Sequence, residues 1–554
     1  MCPQNILKRL MQMLIVRILR PSSILLIAIA SSSASADYPI GTNLSGISSW
    51  SNQRPFTNLF KQSHPWFTQC SERLERDCSN SWDTKEADRL ELDEHGWVMS
   101  LPERSVPGFS IASTLMQGIP VGNYYVTYEG SGEIAYGLDA KLLKRDRENG
   151  IDHIRVSKNP GKLLLQILET DPEQTGDYIK NIQITDSNPQ HAETSTTFDQ
   201  TFLNQLRPYQ AIRFMDWMAT NGNETVHWED RLKPETATYS QEDNARGVPI
   251  EVMVELANVL DTSPWFTLPH QIDDGYVRNF ATLVKDNIRT SKTLYIEYSN
   301  ETWNQAFPQY RWIANKAKAL WPDSSVADTT KVANWHGKRT AEICTIWKDV
   351  FAENAEQISC VMGSQAANVW VGEQALACPL WKDNPKATCV DHGIEALAIA
   401  PYFGGYLGRK EKEKVLEWTK LRKPLDTLFV ELEEIALPEA RSWMLENKEL
   451  AKKYDVELVA YEAGQHLAGT GGFENNEQVT ELFIEANRDK RMGTAYIEYY
   501  KTWFDNDGGL AMNFSLIGEP SKWGSWGVLE KQDQTSSPKH DAIMMLLSQD
   551  QSIE

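Results

Sequence analysis

Positive charge is scarce in this sequence. Fifty-five lysines and arginines stand against 76 aspartates and glutamates, a formal net charge of −21. A surface this acidic repels phosphate backbones and anionic lipid, which argues against nucleic acid and membrane surfaces as partners. It also disfavours a strongly anionic polymer as substrate, unless a local basic cleft overrides the general field. Glycine-rich phosphate loops are missing: neither the G-x-G-x-x-G nor the Walker pattern occurs. No C-x-x-C spacing exists among the seven cysteines, which removes the usual sequence sign of a zinc or dithiol site. Asp505-Asn506-Asp507-Gly508 resembles a calcium loop only in its first residues, because Gly509 stands where a ligand is needed and no Glu follows at the right distance. It reads as a turn, and neither a metal nor an organic cofactor is expected. Beyond the N-terminus no run of about 18 apolar residues is found, so no membrane-spanning helix is expected in the mature chain.

What is present begins with an export pattern. Lys8, Arg9, Arg17 and Arg20 precede the apolar run Ile24–Ala30, and Ala34-Ser35-Ala36 offers a cleavage site before Asp37. Residues 1–36 thus read as a signal peptide, and the mature chain as secreted or periplasmic. Six cysteines remain after its removal, an even number that suits disulfides in an oxidising compartment. The simplest of the fifteen possible connectivities joins neighbours: Cys70–Cys78, Cys344–Cys360 and Cys378–Cys389. Nineteen tryptophans are many. Most must serve a large core, but flat sugar faces also stack on indole rings.

Hydrophobic periodicity divides the chain into segments. Ile40–Gly46 is a short strand running into a polar loop, and 37–69 reads as the start of a barrel. From 70 to 190 the pattern is short β-runs (Ser110–Leu115, Tyr124–Tyr128, Glu133–Tyr136, His153–Val156, Leu163–Ile167, Ile179–Ile184) with turns such as Asn159-Pro160-Gly161 between them, which predicts an inserted β-sandwich-like domain. From 191 to 554 strands alternate with helices. The strands are read at Ala211–Met218, Pro264–His270, Leu294–Tyr298, Ile358–Met362, Leu397–Tyr402, Glu457–Glu462 and Leu510–Ser515. With the strand near 41 they number eight. Repeated βα units imply parallel strands covered on both faces, and eight of them predict a (β/α)8 TIM barrel. An open doubly wound sheet is the alternative, and it lacks its usual phosphate loop.

Catalytic groups of such barrels gather where the strands end. Those ends carry Asn43, Asp216, Trp217, His270, Asn300, Glu301, Gln365, Tyr402, Glu462 and Ser515, and Trp523 follows the last strand. The fourth and seventh strands lie opposite each other, so Glu301 and Glu462 can face one another across a ligand. Two carboxyls about 5–5.5 Å apart suit retaining glycoside hydrolysis, and about 6.5–9.5 Å suits inversion. Each also has a plain structural reading, a surface carboxylate after an edge strand. Asn300, His270, Tyr402, Trp523, Asp216, Trp217, Trp228, Arg231 and Gln365 are candidate substrate-binding residues; core packing or rim ion pairs are the competing readings. Trp265, Trp303 and His336 are expected to be structural. Asn300-Glu301-Thr302 is formally a glycosylation sequon, in a cleft that a transferase would not reach.

Ser299-Asn300-Glu301 after the fourth strand and Tyr461-Glu462 after the seventh resemble the clan A retaining glycoside hydrolases. The resemblance implies a barrel in which Glu301 is the acid/base and Glu462 the nucleophile. Gly41–Gly46 is similar to the first strand of the cellulase-like members, and His270, Tyr402 and Trp523 match a His, Tyr and Trp of that clan's site. The resemblance covers the barrel, not the β-rich insertion. The longer runs Glu297–Asn304 and Tyr461–His466 resemble a group of exported bacterial proteins often labelled cellulose-binding. The expected function is a secreted hydrolase of a poly- or oligosaccharide. The alternatives are a non-catalytic glycan-binding protein on a barrel scaffold, and an exported structural or adhesion protein built on the sandwich.

Overall fold

The computed structural model describes residues 38–70, 82–102, 110–188, 196–242 and 246–548. The expected signal peptide, and Cys78 of the expected Cys70–Cys78 pair, lie outside them. Eight parallel strands close into a barrel: Ile40–Asn43, Ala211–Arg213, Ser263–Leu268, Leu294–Tyr298, Ile358–Gly363, Ile394–Ile399, Glu457–Ala463 and Ala511–Asn513. The first strand pairs with the eighth through Ile40–Ala511 and Thr42–Asn513, which completes the ring. The (β/α)8 expectation is therefore met.

Alternation along each strand separates two cores. On the fourth strand Leu294, Ile296 and Tyr298 pack outward against the helices, in the larger core. Tyr295 points inward, beside Ala211, Trp265, Val361, Val459, Tyr461 and Met512. Residues two apart share a face of a strand, so Glu297 follows Tyr295 into the barrel interior and Arg213 follows Ala211. These two inward charges are the basis of the site.

Several strands are shorter than periodicity implied. The second ends at Arg213, not Met218, because Phe214 and Trp217 leave the sheet to pack into the outer core. Between the seventh and eighth strands stand two helices, Glu477–Arg488 and Lys490–Asp505, broken at Asp489, which caps the second through its side chain. After the first strand comes a 3-10 turn, Leu59–Gln62.

Between the first and second barrel strands lie two four-stranded antiparallel sheets. One contains Phe67–Cys70, Ser110–Ile119, Gly161–Thr170 and Gly132–Leu138; the other Lys180–Thr185, Gly122–Glu129, Ile151–Val156 and Ala140–Asp146. They share a core of Met116, Ile134, Leu163 and Leu165 from one sheet with Tyr124, Val126, Ile154 and Ile184 from the other. Ala140–Asp146 escaped sequence reading because Lys141, Leu142, Leu143 and Lys144 are all exposed, leaving no buried alternation to see. Cys344–Cys360 and Cys378–Cys389 are both formed. Among the described residues no helix is long and apolar enough to cross a membrane.

Candidate active site

Arg213 organises the strand ends. Its side chain is fully buried, and its planar fork reaches four residues. Nε and Nη2 donate to Glu297 Oε2 at 3.1 and 2.9 Å, and Nη2 also donates to Asn300 Oδ1 at 3.0 Å. Nη1 donates to Asn43 Oδ1 and to Glu462 Oε1, both at 3.1 Å. The guanidinium lies over the Tyr461 ring, 5.0 Å from its centre. Burial works against this charge, but Glu297 and Glu462 more than offset it and hold Arg213 protonated.

Glu297 pairs with Arg213 from inside the barrel. Besides Arg213, its Oε2 accepts from Trp265 Nε1 at 2.9 Å and Thr267 Oγ1 at 3.1 Å.

Glu462 reaches this network through an irregularity of its strand. Ala460 pairs with Ala511 and Ala463 with Asn513, so three steps on the seventh strand face two on the eighth. Such a bulge re-aims side chains. Here it lets consecutive residues serve one site: Tyr461 donates to Glu301 Oε1 at 3.2 Å, while Glu462 meets Arg213. Gly464 follows at φ +129, where a side chain would also strike the Tyr496 hydroxyl. Tyr402 donates to Glu462 Oε2 at 3.0 Å. Burial, then the charge of Glu462, push the Tyr402 hydroxyl well above 10, so it stays a donor.

Glu301 sits at a strained corner. Ser299 and Glu301 both adopt left-handed backbone, φ 58 and 40, at a cost of roughly 1 kcal/mol each. The Ser299 amide bonds to the Leu268 carbonyl and the Asn304 amide to the Glu301 carbonyl, both at 2.8 Å, which pins the corner. Asn304 Nδ2 donates to Glu301 Oε2 at 2.7 Å.

Burial pushes the Glu462 carboxyl up to about 8; Arg213 opposes the rise, the charge of Glu301 adds to it, and the Tyr402 hydroxyl opposes it. Above about 8 the last proton leaves Glu462, so a reaction needing one proton between them slows as pH rises through that value. Replacing Glu301 by Gln removes a negative neighbour, so the Glu462 midpoint falls below about 8. Carboxyl 13C shifts of labelled glutamate would read it, and an unmoved midpoint would mean the pair is uncoupled.

Two clefts open near these strand ends; Glu301 lines one of them, and Glu462 lines neither. One, of about 670 Å³, is lined by Glu301, Trp303, Gln365, Trp370, Arg409 and Trp443, among others. The other, of about 840 Å³, is lined by Trp50, Asp216, Phe514, Trp523 and Trp526. Burial pushes Asp216 up to about 6, against the pull of Arg213. Trp523 is widely exposed, whereas Trp526 packs edge-on against Tyr402 with ring centres 5.9 Å apart.

Several anticipated residues lie elsewhere. His270 is buried edge-on against Trp312 and lines neither cleft; burial pushes its pKa down to about 4. Trp217 is wholly buried among Phe56, Phe202 and Phe214, because the chain turns into the core after Arg213. Arg231 stacks on Trp228 and bonds Glu251 at 2.8 Å, beside a separate small cavity. Asn300 is spent on the network, accepting from Arg213 and donating to Asn221 Oδ1 at 3.2 Å. Trp265 is core as read, fully buried inside the barrel where it bonds Glu297, whereas Trp303 lines a cleft. Arg213 and Glu297 were missed, though each falls on the inward parity of its strand, where a charge is otherwise out of place.

No family model matches the chain, and no curated protein matches it. Among solved structures it is similar to a glycoside hydrolase family 5 mannosidase from Rhizomucor miehei, at 10% identity over 64% of this chain and 88% of that one, with a TM-score of 0.33. A broad-specificity family 5 endoglucanase from Clostridium longisporum gives 10% identity, 65% and 87% coverage, and a TM-score of 0.35. A family 53 catalytic domain from Ignisphaera aggregans gives 12%, 64%, 89% and 0.33. These neighbours are glycoside hydrolases, and likeness at this level carries no weight for activity.

Proposed function

We propose that the protein is an exported retaining glycoside hydrolase acting on a poly- or oligosaccharide, with Glu462 as nucleophile and Glu301 as acid/base. The observation that carries this reading is the pair of glutamates at the strand ends. Glu462 is gripped on both oxygens by Arg213 and Tyr402, Glu301 is held by Tyr461 and Asn304, and Glu301 lines an open cleft. Glu462 Oε forms a bond to the anomeric carbon as the glycosidic C–O bond breaks, and Glu301 gives its proton to the departing oxygen. In the second step Glu301 takes a proton from water, the water oxygen bonds to the anomeric carbon, and the ester to Glu462 breaks.

A buried carboxyl with a pKa near 8 holds a proton at neutral pH in the ligand-free site. The roles above need that proton on Glu301 once substrate is bound. Positive charge developing at the anomeric carbon favours ionised Glu462, and Arg213 and Tyr402 already donate to it. Protonating Glu301 also removes one of the influences that raise Glu462. The two formed disulfides fit an oxidising compartment.

Screening polysaccharides with mass analysis of products identifies the substrate, and proton NMR of the first sugar released then reads the stereochemistry. The same anomer as the substrate is expected. The opposite anomer overturns the retaining mechanism, and saturable glycan binding without any product favours a non-catalytic binding protein.

A further inference from the structure

We propose that the cleft beside Glu301 is a subsite for an acidic sugar, a uronate within an otherwise neutral glycan, and that Arg409 is the group that selects it. The inference rests on the hydrolase reading of Glu301 and Glu462. The lining of this cleft is amides and aromatic rings: Gln365, Asn368, Trp303, Trp370 and Trp443. Among the described residues it carries two formal charges, Glu301 and Arg409. Glu301 alone would repel a carboxylate-bearing sugar, so a cation in the same lining changes what the cleft accepts.

Arg409 is left free for this. Arg145, Arg231, Arg339, Arg488 and Arg491 each pair with a carboxylate, whereas Arg311 and Arg441 have no ion-pair partner among the described residues and line neither cleft. Arg409 has no ion-pair partner within 4.0 Å among the described residues, in a chain where acids outnumber bases. Its backbone is nonetheless fixed. It follows the 3-10 turn Gly405–Gly408, and its amide bonds to the Tyr406 carbonyl at 3.1 Å. The Gly408 carbonyl accepts from the Thr470 amide at 3.1 Å, and a Cβ on Gly408 would stand 1.8 Å from the Ala468 carbonyl oxygen. The loop after the sixth strand is thus locked to the loop after the seventh, at a contact that only glycine permits. Arg409 also faces the catalytic end: its charge adds to burial in keeping His466 neutral, and His466 packs edge-on against Tyr402 with ring centres 5.4 Å apart.

A guanidinium matches a planar carboxylate with two parallel hydrogen bonds, and the tryptophans offer flat faces to the pyranose rings. The net charge sets a limit on the substrate. A chain of −21 repels a polyanion over long range. A single carboxylate at one subsite meets Arg409 within a Debye length of about 8–10 Å and escapes most of that repulsion.

The test uses a uronate-bearing oligosaccharide and the same compound with its carboxyl reduced to the alcohol. Wild-type protein is expected to show kcat/KM about tenfold or more higher for the acidic member. Arg409→Ala is expected to abolish this preference while affecting the neutral member less, and Arg409→Lys to keep part of it. Equal rates for the two substrates, or an equal loss on both in Arg409→Ala, overturns the proposal and leaves the hydrolase reading standing. If neither substrate is cleaved by wild type, the hydrolase reading is what fails. Equilibrium binding of the same pair to Glu301→Gln and to Glu301→Gln/Arg409→Ala then decides: the acidic preference must be present in the first and lost in the second.

Discussion

Glu462→Gln is expected to lose turnover by about a thousandfold or more, with the fold intact, because the substitution removes the nucleophile of the proposed mechanism. Glu301→Gln is expected to lose about 10²–10⁴-fold. The two losses differ in kind. An aryl glycoside with a very acidic leaving group departs without protonation, so its first step survives in Glu301→Gln and fails in Glu462→Gln. Rates across a series of aryl leaving groups separate the roles: a steep dependence is expected in Glu301→Gln and a flat, near-zero rate in Glu462→Gln. The reverse pattern would exchange the two assignments, which the proton on Glu462 in the empty site makes a sharp test. Full activity in either variant would sink the pair as catalytic. Neutral Gln is close in volume to Glu, and thermal unfolding controls for the fold.

Arg213→Met is expected to destabilise the fold by about 3–5 kcal/mol and to abolish turnover. The substitution leaves Glu297 buried with only Trp265 and Thr267 as donors, and strips Glu462 and Asn300 of a shared partner. Arg213→Lys keeps the charge but not the planar fork, so it cannot satisfy Glu297, Asn43, Asn300 and Glu462 together. Urea unfolding of Arg213→Met, Glu297→Gln and the double variant forms a cycle. The double variant is expected to be less destabilised than the sum of the two, since it removes both buried charges. Additive losses would mean that Arg213 and Glu297 do not act as a pair. The activity of the double variant has its own use: partial folding recovery with no turnover separates the stabilising role of Arg213 from its grip on Glu462.

The barrel was legible because its signals are local. Apolar runs of strand length alternate with helical periods, and eight of them leave few other closures. Six of the eight strands of the two inserted sheets are visible in part or whole for the same reason; Phe67–Cys70 is not, nor is Ala140–Asp146, which its exposed side chains hide. Candidate site residues were read by assuming that each strand ends where its apolar run ends. That assumption holds for Leu294–Tyr298, followed by Asn300 and Glu301, and for Glu457–Ala463, which contains Glu462. It fails for the second strand, whose apolar run continues past Arg213 into the outer core. Asp216 and Trp217 therefore read as the end of that strand, and the apolar run hides the inward arginine before them. His270 illustrates the same limit, since a terminal polar residue can turn under a neighbouring ring as readily as into a cleft.

By itself the sequence determined the parallel barrel, the β-rich insertion between its first and second strands, and two glutamates on facing strands, because periodicity and strand order are properties of the chain. Tertiary structure alone decided how those glutamates are held. A bulge in the seventh strand, the meeting of the inward-facing Arg213 and Glu297, and contacts between distant residues, such as Asn43 with Tyr461, 418 positions apart, arise only when the ring closes. Which tryptophans meet solvent is likewise set by closure. Burial is a property of neighbours brought together from distant parts of the chain, and no local pattern encodes it.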